Sequence, residues 1–383
     1  MLRPVYAASA NPLYALQSRR ENEVVAWREK FEGDSCRHPS GSVVVSDGQR
    51  LIKLSETGHS EWKVDNGKWT PFRPAALPNG GAVWSPGGKG ITFYTPGGAV
   101  QKVWGGEHQT QTTVPTVAPD GTAYVCLRTE DGSVLAALRS DQDEPVWVAR
   151  LPFFGSGPCL PDGQGGVIFR TDDDRVLSLD KDGQERWCQK LPVRVDGQLA
   201  LGPKGEIYIG SEKGQVYRLA PEDGAVTPFF KARKAVRAAP TVTEEGRVYL
   251  TSFDHNLYAV SPEGKELWHH DCEDLVDSSP AVLDDETVVV GSNAGKVWGL
   301  SPEGEERWSQ EVDFWVEGAI LSDGRTAYVA GKDEVVALRP GGIAADLDDF
   351  AIAPANQVGE HGGKVVVGGV RLPRCTRRGT GCD

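Results

Sequence analysis

The chain has 383 residues, of which 25 % are charged and 39 % hydrophobic, with a formal net charge of −13. This is ordinary globular composition. The acidic balance argues against a general nucleic-acid binder, which needs a basic surface, and no apolar run approaches the roughly 18 residues of a membrane helix.

One type of strand recurs from end to end. Its copies are PVYAAS (from residue 4), SVVVSD (42), GAVWSP (81), TAYVCL (122), GVIFRT (166), EIYIGS (206), RVYLTS (247), TVVVGS (287), TAYVAG (326) and KVVVGG (364), spaced 38 to 44 residues apart. β-Branched and aromatic residues dominate, and a small or polar turn follows. These are called B strands. A C strand follows each after a polar turn, from PLYALQ (12) to EVVALR (334). A D strand then carries an aromatic: Trp27, Trp62, Trp104, Trp147, Trp187, Phe229 or Phe230, Trp268 and Trp308. In four units the aromatic ends a Gly-x-x-x-Trp motif: Gly58 to Trp62, Gly183 to Trp187, Gly264 to Trp268, Gly304 to Trp308. A short A strand precedes most B strands, and its turn is often Asn-Gly or Asp-Gly, as at Asn79-Gly80, Asp120-Gly121 and Asp323-Gly324, which suits a tight hairpin.

Each unit is therefore a four-stranded antiparallel meander of about forty residues. Such a sheet cannot bury both faces alone. Radial packing against two neighbours solves the problem and defines a β-propeller. No segment keeps a 3.6-residue apolar period, so helix is not expected. The spacing predicts one all-β closed β-propeller over residues 1–370, with nine blades and eight as the alternative. N- and C-terminal strands share the closing blade, which in the nine-bladed ring combines an A strand near 351–357 with N-terminal C and D strands. Residues 371–383 read as a basic tail.

The N-terminal apolar run, residues 5–8, is too short for a signal peptide. The seven Cys (36, 126, 159, 188, 272, 375 and 382) are odd in number and lack paired spacing. Free thiols in a reducing compartment follow, and with them a cytoplasmic location.

YAVSPEGKELW, WGLSPEGEERW and LSLDKDGQERW resemble the pyrroloquinoline-quinone-type, WD40-like propeller repeat, most clearly from about 197 to 338. The resemblance implies that Trp27, Trp62, Trp104, Trp147, Trp187, Trp268 and Trp308 pack between blades. It is specific for fold and weak for function. Quinoprotein dehydrogenases of this type use adjacent cysteines and long insertions around the cofactor. This chain has neither. An envelope assembly scaffold of the outer-membrane lipoprotein kind needs a lipidated Cys near the start, and the first here is Cys36.

No metal site is expected. In His269-His270-Asp271-Cys272, neighbouring residues point to opposite faces of a strand. The run Thr171–Arg175 holds three carboxylates but lacks the Gly and distal Glu of a calcium loop. Neither a Gly-x-Ser-x-Gly elbow nor a P-loop is present. No catalytic residue and no cofactor are assigned.

What remains is a non-enzymatic protein-interaction scaffold or regulatory propeller of a bacterial multiprotein, signalling or defence system. Its partner is a protein, without nucleic acid or membrane insertion. B–C turns and D–A loops share one face. That face is mostly acidic, through Glu130, Asp131, Asp172, Asp173, Asp174, Glu212, Asp254, Asp333 and Glu334. One loop is basic. Lys231, Arg233, Lys234 and Arg237 are the candidate partner-binding residues, with Trp315 either an aromatic anchor beside them or the start of a buried A strand.

Overall fold

The computed structural model describes residues 132–322 continuously, most of 25–129 and 324–339 in shorter runs, and three short strands between 359 and 373. Among the described residues there is no helix. Eight antiparallel sheets, seven of four strands and one of five, follow one another along the chain. Sheet 5 is typical: A is Leu199–Leu201, B Ile207–Gly210, C Gln215–Leu219 and D Val226–Lys231, in that spatial order. Sheets 6 and 7 repeat it with B strands Val248–Thr251 and Val288–Ser292 and C strands Asn256–Val260 and Lys296–Leu300.

B and C strands are buried at nearly every position, whereas D strands such as Glu266–Asp271 are mostly exposed. A strand buried on both faces must be covered by a sheet on each side. Alternate residues divide accordingly. Val248 and Leu250 pack with Tyr208 and Val216 of sheet 5, while Tyr249 between them packs with Val288 and Trp298 of sheet 7. Val289 in turn joins Val329 and Val336 of sheet 8. Each of the seven successive joints has its own apolar cluster.

The Gly-x-x-x-Trp motif is the joint. Trp62 Nε1 donates to the Pro96 carbonyl (2.7 Å), Trp187 to Pro221 (2.9 Å) and Trp268 to Pro302 (2.8 Å). Each acceptor lies in the C–D turn of the next sheet. The Gly of that turn has positive φ, +90° at Gly304. Its missing side chain leaves room for the indole: a Cβ on Gly304 would lie 2.7 Å from the Trp268 ring, and one on Gly98 2.8 Å from Trp62. Gly183 and Trp147, and Gly224 and Trp187, repeat the arrangement. The Gly and Trp of one motif therefore serve different joints. The Gly receives the indole from the sheet before, and the Trp reaches into the sheet after.

Four joints depart from this. At sheets 3 and 4, Trp147 packs over Gly183 but makes no indole hydrogen bond among the described residues. At sheets 2 and 3, the position four after Gly98 is Lys102, whose Nζ meets Asp143 Oδ1 at 3.4 Å. Trp104, two residues further on, packs against the same apolar cluster. At sheets 5 and 6, Phe229 replaces the indole and stacks edge-on with Tyr208, and Arg218 donates to the Pro262 carbonyl (3.1 Å) in its place. At sheets 7 and 8, Trp308 packs on the cluster, but its buried Nε1 has no hydrogen-bond partner among the described residues.

Sheet 8 explains the last case. Its A, B and C strands are Leu321–Ser322, Ala327–Ala330 and Val335–Leu338. Its outermost strand is Val25–Glu29, antiparallel to Val335–Leu338, so no C–D turn of its own follows Leu338 within that sheet. The shared terminal sheet is thus divided differently from the expectation. The Trp27 strand sits on 335–338 and not in a blade opened by 351–357. Val25–Glu29 takes the free edge of Val335–Leu338, with one bulge between Val25 and Trp27. Strands Gly359–His361, Lys364–Val367 and Val370–Pro373 form a separate three-stranded sheet. The expected strands at 4 and 12, the A strand at 351–357 and the tail beyond 373 lie outside the described residues.

The joint predicts which substitutions couple. Trp268→Ala should cost about 3–5 kcal/mol, as large-to-small core changes do. Combined with Gly304→Ala, which disturbs the same joint, it should cost clearly less than the sum. Combined with Gly264→Ala, in the same motif but a different joint, the effects should add. Thermal or denaturant unfolding of the two double-mutant cycles measures this.

Candidate functional site

The D–A loops lie across the B–C turns, on one face of the sheets. Ala232 N–H donates to the Gly214 carbonyl (2.9 Å) and Val236 N–H to Ser211 (3.1 Å). In the loop from sheet 7 to sheet 8, Val312 N–H donates to Gly295 (2.7 Å) and Val316 N–H to Ser292 (3.2 Å). Four successive loops share two buried anchors four residues apart: Leu191 and Val195, Ala232 and Val236, Cys272 and Val276, Val312 and Val316. The second anchor often presses on a glycine. A Cβ on Gly210 or on Gly291 would lie 2.5 Å from Cγ1 of Val236 or Val316. Only the residues between the anchors are free to differ, and they read Pro-Val-Arg, Arg-Lys-Ala, Glu-Asp-Leu and Asp-Phe-Trp.

Trp315 is one of these. It is 66 % exposed, the largest fraction for a big apolar side chain among the described residues. Of the two sequence readings, the buried A-strand start does not hold. Phe314 beside it packs inward on the sheet 7–8 cluster and Val316 is buried, so Trp315 is held outward from both sides.

The four basic candidates differ in what they have left to offer. Arg237 is spoken for: its Nε donates to Glu212 Oε1 (2.7 Å), and its guanidinium lies 4.8 Å from the centre of the Phe253 ring. Lys231 Nζ donates to the Lys213 carbonyl. Arg233 and Lys234 are exposed, with no side-chain hydrogen bond or ion pair among the described residues. The basic sector therefore presents chiefly these two.

Asp254 fixes their loop. Its Oδ2 accepts the Arg233 N–H (2.9 Å) and the Tyr258 hydroxyl (2.9 Å), and Oδ1 accepts from Asn256. Burial works to raise the Asp254 pKa, but hydrogen bonds from Asn256, Tyr258, Arg233 and Ser252 outweigh it and hold the carboxyl below its usual range. Burial, followed by the bond to Asp254, pushes the Tyr258 phenol up.

The other acidic run is also structural. Asp173 joins Thr171 Oγ1 (2.6 Å) and Arg175 Nε (2.8 Å), and Asp174 Oδ1 accepts the Val195 N–H (3.1 Å). The segment from His269 to Cys272 does not converge on a metal. His269 Nδ1 contacts Glu266 (2.8 Å), His270 meets Trp298 edge-on, and Asp271 Oδ1 accepts the Glu273 N–H. Cys272 is a packing anchor whose thiol burial pushes up to about 12. Among the described residues no group of three His, Cys, Asp or Glu side chains is placed to hold a metal ion. Glu130, Asp131, Asp333 and Glu334 lie outside the described residues.

A helix-free series of four-stranded meanders, packed face to face and joined through a Gly-to-Trp relay, defines a propeller of the PQQ-like, WD40-like repeat class. Comparison with known proteins agrees. The family described as outer membrane protein assembly factor BamB matches residues 172–271 and 254–342. BamB from Moraxella catarrhalis superposes with a TM-score of 0.60 at 16 % identity, covering 87 % of this chain and 98 % of that one. The computationally designed Ika8 protein gives 0.65 at 14 % identity, covering 86 % of this chain and 100 % of that one. The C-terminal WD40 domain of Sif2 gives 0.65 at 12 %, covering 82 % and 97 %. At these identities the likeness is one of fold. No curated protein matches the sequence at a significant level.

The Asp254 geometry predicts a pH dependence. A depressed carboxyl pKa adds stability that is fully present above the unfolded value, about 3.9. It is lost as pH falls through the lower folded value. Asp254→Asn should melt below the wild type at neutral pH, and the gap should close on acidification below about pH 4. Thermal unfolding followed across that range measures it.

Proposed function

We propose that this chain is a non-enzymatic protein-binding scaffold, and that the partner docks on the face built by the D–A loops and B–C turns. The observation that carries the reading is Trp315. A large indole held in solvent between two buried neighbours loses apolar burial that a partner would restore, and Trp is the residue most enriched at binding hot spots. Arg233 and Lys234, exposed on the basic loop between sheets 5 and 6, add electrostatic orientation. Similarity to an assembly factor and to a WD40 domain supports a scaffold in preference to a catalyst. On that face the carboxylates of Asp173, Asp174 and Asp254 are engaged by hydrogen bonds within the turns and loops, which is a further support.

We also propose that the sheets close into a ring of eight blades, the alternative weighed from the sequence. Val25–Glu29 pairs with Val335–Leu338 and continues through residues 30–33 into the first strand of sheet 1, Asp34–Arg37. Sheets 8 and 1 are then neighbours, and no further blade is needed between them. A cytoplasmic location is part of the proposal. It rests on free thiols: Cys126 and Cys159 share one apolar cluster without forming a disulfide.

The test is quantitative affinity capture from native cells with the wild type, Trp315→Ala and the pair Arg233→Glu with Lys234→Glu. One and the same protein should be depleted from both variants. The loss caused by charge reversal should shrink as salt is raised. Retention of every wild-type partner by both variants at low salt would remove this face as the interface.

A further inference from the structure

We propose that the joint between sheets 5 and 6 is the seat for an acidic segment of the partner protein, and that His255 is held in a strained backbone to contact that segment. This rests on the reading of the D–A face as the partner surface and deepens it.

The charge is local. The loop 231–237 holds four cations, Lys231, Arg233, Lys234 and Arg237, and Lys213 adds a fifth from the tip of the sheet 5 B–C turn. The equivalent loop of the next joint, 271–277, carries four carboxylates and no Lys or Arg. Lys213, Arg233 and Lys234 are exposed, without a side-chain hydrogen bond or ion pair among the described residues. The two carboxylates of the adjoining turns do not answer them. Glu212 is taken up by Arg237 (2.7 Å), and Asp254 by the Arg233 N–H, Tyr258 and Asn256. Five cations thus stand against two carboxylates in a chain of net charge −13. Like charges held together repel, and an anionic partner relieves that repulsion.

His255 is an independent observation. It closes the sheet 6 B–C turn at the place filled by Asp174, Gly214 and Gly295 in sheets 4, 5 and 7. Its carbonyl accepts the Cys272 N–H (2.8 Å), as Asp174, Gly214 and Gly295 accept from Leu191, Ala232 and Val312. The backbone φ is positive at all four, +76° at His255, which is unfavourable for any residue with a side chain. Glycine avoids the strain in two of the turns. Asp174 offsets it, because its Oδ1 accepts the Val195 N–H (3.1 Å). Glu273, on the same face with φ +67°, does so through Lys296 Nζ (2.7 Å). The half-buried His255 imidazole has no hydrogen bond, ion pair or ring contact among the described residues. Strain that no internal contact offsets marks a functional position.

The two observations meet in space. Asp254, next to His255, holds the Arg233 N–H (2.9 Å), Phe253 N–H donates to the Ala235 carbonyl (2.9 Å), and Ser252 Oγ donates to the Lys234 carbonyl (3.2 Å). The turn bearing His255 is therefore fastened along the basic loop, and the turn bearing Lys213 is fastened to the same loop through Gly214 and Ser211. A short acidic segment fits within this one joint. A nucleic acid is disfavoured, because the carboxylates of loop 271–277 adjoin the site and repel a continuous polyanion.

Fluorescence anisotropy of a labelled oligoglutamate peptide, titrated with the full chain at low salt, tests the seat. The wild type should bind, with affinity falling as salt is raised. Lys213→Glu, and the pair Arg233→Glu with Lys234→Glu, should each weaken binding several-fold. His255→Gly should weaken binding and also raise the melting temperature, because glycine carries no strain at positive φ. A residue with a structural role alone would not move the two readouts in opposite directions. Trp315→Ala, two loops away, should leave peptide binding unchanged, so this inference can fail while Trp315 still captures the partner. Circular dichroism of each variant verifies the fold. A wild type that does not bind the peptide overturns the proposal. So does binding indifferent to His255→Gly or to the charge reversals, binding weakened by Trp315→Ala, or equal binding of single-stranded DNA of the same charge.

Discussion

The structure depends on one requirement: both faces of every B and C strand must be covered by another sheet. Apolar side chains alone meet the bulk of it, as Val248 and Tyr249 do by facing opposite neighbours. They do not set the spacing or angle at which sheets meet. The indole does. Trp268 fills the space over Gly304 and ends on the Pro302 carbonyl, so packing and a directed hydrogen bond act at one point. Where the indole is missing, its two roles are divided. Phe229 supplies the ring and Arg218 the donor to Pro262. At that joint the carbonyl contact is kept while the residue type that makes it changes.

The same economy governs the face that carries the D–A loops. Each loop is pinned at two buried residues and hung on the B–C turn below it, leaving a few side chains between the pins. Rigid attachment and variable content are thereby separated. The loop from sheet 5 to sheet 6 shows Arg233 and Lys234, and the loop from sheet 7 to sheet 8 shows Trp315, on closely similar backbones. Preorganised presentation of this kind lowers the ordering cost of binding.

Much of this was legible in the residues. B and C strands announce themselves as β-branched runs with turns at regular intervals, and the Gly-x-x-x-Trp motif marks the C–D turn. What the motif does was less legible, because its Gly and Trp act on different sheets, and a one-dimensional pattern invites reading them as a unit. Lys102 was hidden by two inserted residues that carry Trp104 past the usual position. Arg218 left no signal, since it lies on the C strand, away from the D-strand aromatic Phe229 that it assists. The loop anchors, four apart, are visible once Val195, Val236, Val276 and Val316 are aligned, and that alignment would have put Trp315 in the variable segment. Arg237 follows the anchor, which is why it is engaged by Glu212 and Phe253 and not free like Arg233. The division of the terminal sheet was read differently from spacing, because B-type strands nine repeats apart favoured a ninth blade opened by 351–357, whereas the Trp27 strand pairs with 335–338.

Val25–Glu29 holds the outermost place on Val335–Leu338, and this has a consequence for the order of events on the ribosome. The two paired strands are separated by about 300 residues of chain. At synthesis rates of about 5–20 residues per second, the N-terminal strand waits roughly 15–60 s for its partner. Sheets 1 to 7 can form in turn during that interval, each against the one before it. Residues 25–29 must stay unpaired throughout, exposed to chaperones and to the same strand in neighbouring nascent chains. The final sheet is therefore the step at which a polysome would exchange strands between copies.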